Sequence, residues 1–155
     1  MVSPAAFSVF LGDEGGRVSD ENRVKVIEDL PYIGTVLNPM YFSDGRNVFI
    51  AYEVAPLENG GVAVVRFSDV IRFHDLPMNA EQMGRHRYYS NGLEFYSFNE
   101  CAFAEELSAW CVLKSRFWVI SFNDVTLEIV FGSFEMVYRS PDNVSLRHAL
   151  LNAAF

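Results

Sequence analysis

Cysteine, positive charge and long apolar runs are all scarce in this chain of 155 residues. Only Cys101 and Cys111 are present. The stretch between them reads as helical, and that separation along a helix is about 15 Å, too long for a disulfide. No CxxC or Cys/His spacing points to structural zinc, so the pair is expected as two buried, inert thiols. Lys and Arg number 12 against 20 Asp and Glu, a formal net charge of −8. The deficit is spread along the chain, which disfavours a nucleic-acid partner. No apolar run reaches the roughly 18 residues that a membrane span needs. Met1–Leu11 lacks a basic leader and a long apolar segment. The expectation is a soluble, cytoplasmic protein with no membrane partner.

Catalytic signatures are missing too. There is no GxSxG elbow, no GxGxxG fingerprint and no GxxxxGKS/T loop. No cofactor is expected, and the sequence leaves open whether the protein is an enzyme. Repeats, low-complexity tracts and linkers are also absent, so residues 1–155 read as a single domain.

What is abundant is apolar and aromatic. Half of the residues are hydrophobic, with 14 Phe, 7 Tyr and 2 Trp, which excludes global disorder. The chain is organised around Phe117–Phe131, which reads as a hairpin turning at Asn123-Asp124. Both turn residues tolerate positive φ, as a type I′ turn requires. A two-residue loop sets Phe122 opposite Val125, Ile120 opposite Leu127 and Trp118 opposite Ile129, all on one apolar face. The other face pairs Ser121 with Thr126, Val119 with Glu128 and Phe117 with Val130. A slip of one residue would mix the two sets. Gly132-Ser133 marks a change of phase before Phe134, Met136 and Tyr138, and predicts a bulge or bend.

Elsewhere, Ala5–Leu11 and Arg23–Ile27 read as strands, with a turn at Asp13–Gly16. A loop holding Pro31, Gly34, Asn38 and Pro39 carries enough aromatics to be packed or part of an interface. A second hairpin, Asn47–Leu57 with Gly61–Phe73, turns at Asn59-Gly60. Its predicted register sets Tyr52 opposite Phe67 and Glu53 opposite Arg66. Asn79 with Gln82 forms the signature of a capping box, with Met78 and Met83 as a hydrophobic staple. Leu93–Phe98 reads as a strand, and Asn99 as the cap of a helix bearing Phe103, Leu107, Trp110 and Cys111. Ser140-Pro141 reads as the start of a last helix, with Leu146, Leu150 and Ala153 along one side. The whole predicts an α+β fold, mostly β. A single antiparallel curved sheet or half-open barrel with two or three helices, one C-terminal, is expected; a two-sheet sandwich is the alternative.

Chemistry could sit in three places. Arg85-His86-Arg87 with Tyr88 and Tyr89 concentrates cationic side chains in an acidic chain, and guanidinium forks bind carboxylate or phosphate. The competing reading is a solvated turn whose arginines pair with the protein's own carboxylates. His74-Asp75, Glu81 and His86 are suitable ligand types for a metal or an acid–base pair, but match no defined motif. Glu94 and Glu128 each interrupt an apolar strand and could form a pair of carboxylates. The candidate ligand-binding residues are therefore Arg85, His86, Arg87, His74 and Tyr88, with no catalytic or metal assignment. The leading expectation is a non-enzymatic interaction domain that self-associates as a homo-oligomer or binds another protein. The alternative is a small enzyme, or a binder of a small anionic ligand, with its pocket between sheet and helices.

Overall fold

A computed structural model describes residues 24–101 and 115–155, the side chains of Ala80 and Glu81 excepted. The expectations for Ala5–Leu11, the Asp13–Gly16 turn, Phe103, Leu107, Trp110 and Cys111 lie outside the described residues. Nine strands appear among the described residues. They are β1 (Val24–Val26), β2 (Met40–Ser43), β3 (Val48–Glu53), β4 (Val62–Ser68), β5 (Arg72–Leu76), β6 (Phe98–Cys101), β7 (Arg116–Ser121), β8 (Thr126–Phe131) and β9 (Ser133–Ser140). Among the described residues there is one α-helix, α1 (Leu146–Ala154), after the last strand.

Among the described residues the strands form two antiparallel sheets and no closed barrel. The first runs β1-β6-β7-β8-β5, the second β2-β3-β4-β9. The expected single sheet is thus divided in two. Apolar alternation explains why: each sheet buries one face in a core that both share. Trp118, Ile120, Leu127 and Ile129 from the first sheet pack with Ile50, Tyr52, Val65 and Phe67 from the second. Trp118 is edge-on to Phe67 at 5.4 Å and to Phe131 at 5.0 Å between ring centroids. Such pairs contribute about 0.5–1.5 kcal/mol each beyond area burial.

The outer faces are covered too. Leu146, Ala149 and Leu150 of α1 pack on Phe49, Ala51, Val62 and Val64 of the second sheet. On the first sheet, Phe117, Val119 and Val130 are covered by Met83, Tyr88 and Leu93 from the connection that follows β5.

The β7–β8 hairpin has the predicted register throughout, from Phe117 opposite Val130 to Ser121 opposite Thr126. Its turn differs. Neither Asn123 nor Asp124 has positive φ, so it is not type I′. Asn38 clamps it instead: its amide donates to Asp124 Oδ2 at 3.0 Å, and its Oδ1 accepts from the Asp124 backbone at 2.7 Å.

The second hairpin is paired differently from its prediction. Tyr52 lies opposite Ala63, not Phe67, and Glu53 opposite Val62, not Arg66. A 3-10 turn over Pro56–Glu58, followed by positive φ at Asn59, Gly60 and Gly61, lengthens the connection and moves the register. The slip is even, so every side chain keeps its face. Arg66 pairs instead with Glu135 on β9. The predicted strand Gly61–Phe73 is interrupted at Asp69, where φ is 55°, and its end passes to the other sheet as β5. The phase change at Gly132 is the matching event, because there the chain leaves the first sheet for β9 of the second.

Two helix starts need correction. Asn99 does not cap a helix but lies within β6. Its buried amide donates to the carbonyls of Glu94 and Val119, and its Oδ1 accepts from Glu94 N, so local side-chain bonds replace the cap. Those bonds close a turn over part of the strand expected at Leu93–Phe98. The last helix starts at Ser145, whose hydroxyl accepts from His148 N at 3.0 Å, and not at Ser140, which ends β9. The capping box at Asn79 and Gln82 is present, on a 3-10 turn over Ala80–Arg85.

Candidate functional site

Strand parity assembles the first cluster. Val119, Glu128 and His74 lie opposite one another across β7, β8 and β5, on the outer face of the first sheet. Arg72 stands two residues before His74 and shares that face. The connection after β5 returns over this face and lowers His86 and Arg87 onto Glu128. The glutamate is fully buried.

Its carboxylate is saturated with donors. His86 Nε2 donates to Oε2 at 2.7 Å. Arg87 donates through Nη1 to Oε2 at 3.0 Å and through Nη2 to Oε1 at 3.1 Å, a fork on both oxygens. Arg72 Nη2 donates to Oε1 at 2.9 Å. His86 Nδ1 accepts the Tyr88 amide at 3.1 Å, which places the ring proton on Nε2, toward Glu128. Burial pushes the Glu128 carboxyl up. The hydrogen bonds from His86 and Arg87, together with the Arg87 charge, outweigh it and hold the carboxyl down at about 2.

The candidate residues thus divide. His86 and Arg87 join Glu128. Tyr88 is buried against Phe117, with the Arg87 guanidinium 4.7 Å over its ring. His74 is exposed on β5, and Arg85 is exposed at the end of the 3-10 turn. Asp75 accepts the Tyr41 hydroxyl. Glu94 lies elsewhere, so it forms no pair with Glu128. Arg72 was missed, since only the long-range pairing of β5 with β8 reveals its approach. Among the described residues no group of three or more His, Cys, Asp or Glu is placed to hold a metal ion. Cys101 is a buried free thiol, pushed by burial up to about 12, which makes it a poor nucleophile.

The second region lies at one end of the sheets, where the loops at residues 31–38, 54–61, 94–98 and 122–125 meet. Here Glu53 organises the chain. Its Oε1 accepts from Val36 N at 2.9 Å and Leu37 N at 2.8 Å, while its backbone carbonyl accepts from Gly34 N at 2.8 Å. A Cβ on Gly34 would stand 2.2 Å from Glu53 Cγ, so the close approach needs glycine. Glu58 Oε1 accepts from Tyr32 N at 3.2 Å, and Asn38 fastens the far end to Asp124. The loop so held presents apolar side chains outward: Val36 is 70% exposed and Leu37 48%.

Beside this loop opens a cleft of about 420 Å³. Tyr32, Tyr96, Phe98, Ile27, Glu28 and Glu94 are among its lining residues. A neighbouring cleft of about 510 Å³ shares Val26, Ile27 and Glu28 and is bounded by Arg116, which is held by Glu100 through two bonds of 2.7 Å. None of Arg85, His86, Arg87, His74 or Tyr88 lines either cleft. Tyr96 has φ of 53°, an uncommon conformation for a bulky residue and a known mark of functional loops.

No family model matches the chain, and neither a curated protein nor a solved structure matches it. What the molecule does has to be read from its own geometry.

Proposed function

We propose that the chain is one domain whose two sheets stack as a sandwich, and that it works as a non-catalytic interaction module that self-associates through the loop at residues 32–38. The observation that carries this reading is the pairing of firm internal hydrogen bonds with outward apolar side chains. Glu53 fixes the loop backbone, while Val36 and Leu37 face solvent. A loop already ordered loses less entropy on contact. Apolar area removed from water there contributes roughly 25 cal/mol per Å².

Sedimentation equilibrium at high micromolar concentration tests it. The native chain is expected to self-associate. Val36→Asp combined with Leu37→Asp is expected to be monomeric with an unchanged melting temperature. A strictly monomeric native chain would remove self-association from the proposal.

A second reading, binding of a small anion, is favoured by the place of the Arg87 guanidinium, which bonds Glu128 while its side chain stays 45% exposed. Phosphate titration followed through the amide signals of residues 85–88 tests it. Absence of saturable shifts there would end that reading.

A further inference from the structure

The cleft beside the loop carries a second inference. We propose that it binds a ligand bearing an ammonium or guanidinium group on an apolar stem.

Its size is right for a compact organic group, since ligand clefts run from about 300 to 1,000 Å³. Its walls are apolar where they are deepest: Ile27, Ile33 and Phe98 are buried. Tyr32 and Tyr96 add aromatic faces, which attract cations through the ring quadrupole.

Charge then selects the ligand. Among the described lining residues Glu28 and Glu94 carry charge, and no Lys, Arg or His lines the cleft. Several other carboxylates are engaged: Glu53 and Glu58 hold loop amides, Asp69 holds Arg46, Glu100 holds Arg116, and Glu135 holds Arg66, while Asp29 and Asp142 line no part of this cleft. Neither the Glu28 nor the Glu94 carboxylate has an ion pair or a hydrogen bond among the described residues. An anion entering the cleft would meet two carboxylates and no cation. An organic cation would meet two carboxylates and two rings, with apolar walls for its stem. The net charge of −8 favours its approach.

Nitrogen-labelled full-length protein titrated with n-butylammonium and n-butylguanidinium tests the proposal, with n-butyrate as the anionic control. Saturable amide shifts are expected at Glu28, Ile33, Tyr96 and Ser97 with both cations, and none there with butyrate. Glu28→Gln combined with Glu94→Gln should weaken binding about tenfold, as two exposed charge pairs allow. Both carboxylates are exposed, so this variant should melt as the native protein does. Val36→Asp with Leu37→Asp should bind as well as the native chain, which separates this site from the self-association surface. An acetylated Leu-Lys-Leu amide distinguishes the source: tighter binding than the free amine assigns the cleft to a partner chain, equal binding to a free small molecule. Absence of saturable shifts, an equal response to butyrate, or unchanged binding by the double Gln variant would overturn the proposal.

Discussion

Glu128 and Glu53 do the same mechanical job in two parts of the molecule, with opposite results. Each carboxylate fastens a loop to a sheet. At Glu128 the donors are side chains, His86, Arg72 and Arg87, and the fastened segment turns Met83, Tyr88 and Leu93 inward over the first sheet. At Glu53 the donors are backbone amides, and the fastened segment turns Val36 and Leu37 outward. The first arrangement completes a core. The second holds apolar groups in water at a fixed place, and the proposed self-association rests on that. The direction of the held side chains, more than the number of bonds, separates scaffold from surface.

Removing each carboxylate sharpens the contrast. Glu128→Ala should cost about 3–5 kcal/mol in urea unfolding, because it takes the shared acceptor from two guanidiniums and a buried imidazole. The same residue sets an acid limit. Its folded carboxyl is lowered from 4.5 to about 2, so its contribution is complete above about pH 5 and is lost as pH falls toward 2. Glu128→Gln should flatten the stability profile across that window; an equally steep profile would show that other carboxylates dominate. A smaller effect is expected at the other end. Glu53→Ala should cost about 1 kcal/mol, since the freed amides lie at the surface and water can replace the acceptor. Its clearer sign should be faster hydrogen exchange at the Val36 and Leu37 amides, with the Met83 amide unchanged. Equal acceleration at both places would mean that the two regions open together, and the comparison would fail.

Sequence made the local features legible. The register of β7 and β8 follows from strict alternation on both sides of a short turn, and Asn79 with Gln82 announces its own cap. The β3–β4 register was not legible, because the Pro56–Glu58 turn and the run of positive φ after it lengthen a loop that Asn59-Gly60 alone would keep short. The Glu128 network was half legible. His86, Arg87 and Glu128 were each singled out, yet only the pairing of β5 with β8 brings Arg72 beside them, and that contact joins distant parts of the chain. Glu53 gave no signal of its role, since its acceptors' partners are backbone amides, which every residue has. The cleft was also silent: Tyr32, Glu28 and Tyr96 come from separate loops that only the finished fold brings together.

The chain changes sheet at Asp69 and again at Gly132, and these crossings touch. Gly132 N donates to Ser68 O at 2.9 Å, and a Cβ on Gly132 would press on Asp69 Cβ at 3.2 Å. This junction sets an order of assembly. The free edge of β4 has to wait for β9, and β5 has to wait for β8, so the first sheet is complete only once Phe131 has been made and the second only once Ser140 has been made. A nascent chain stopped before Thr126 would carry both edges bare, and bare edges recruit strands from other chains. The two sheets are therefore both completed late in the chain, and they meet where the last residue of β4 touches the single residue that joins β8 to β9.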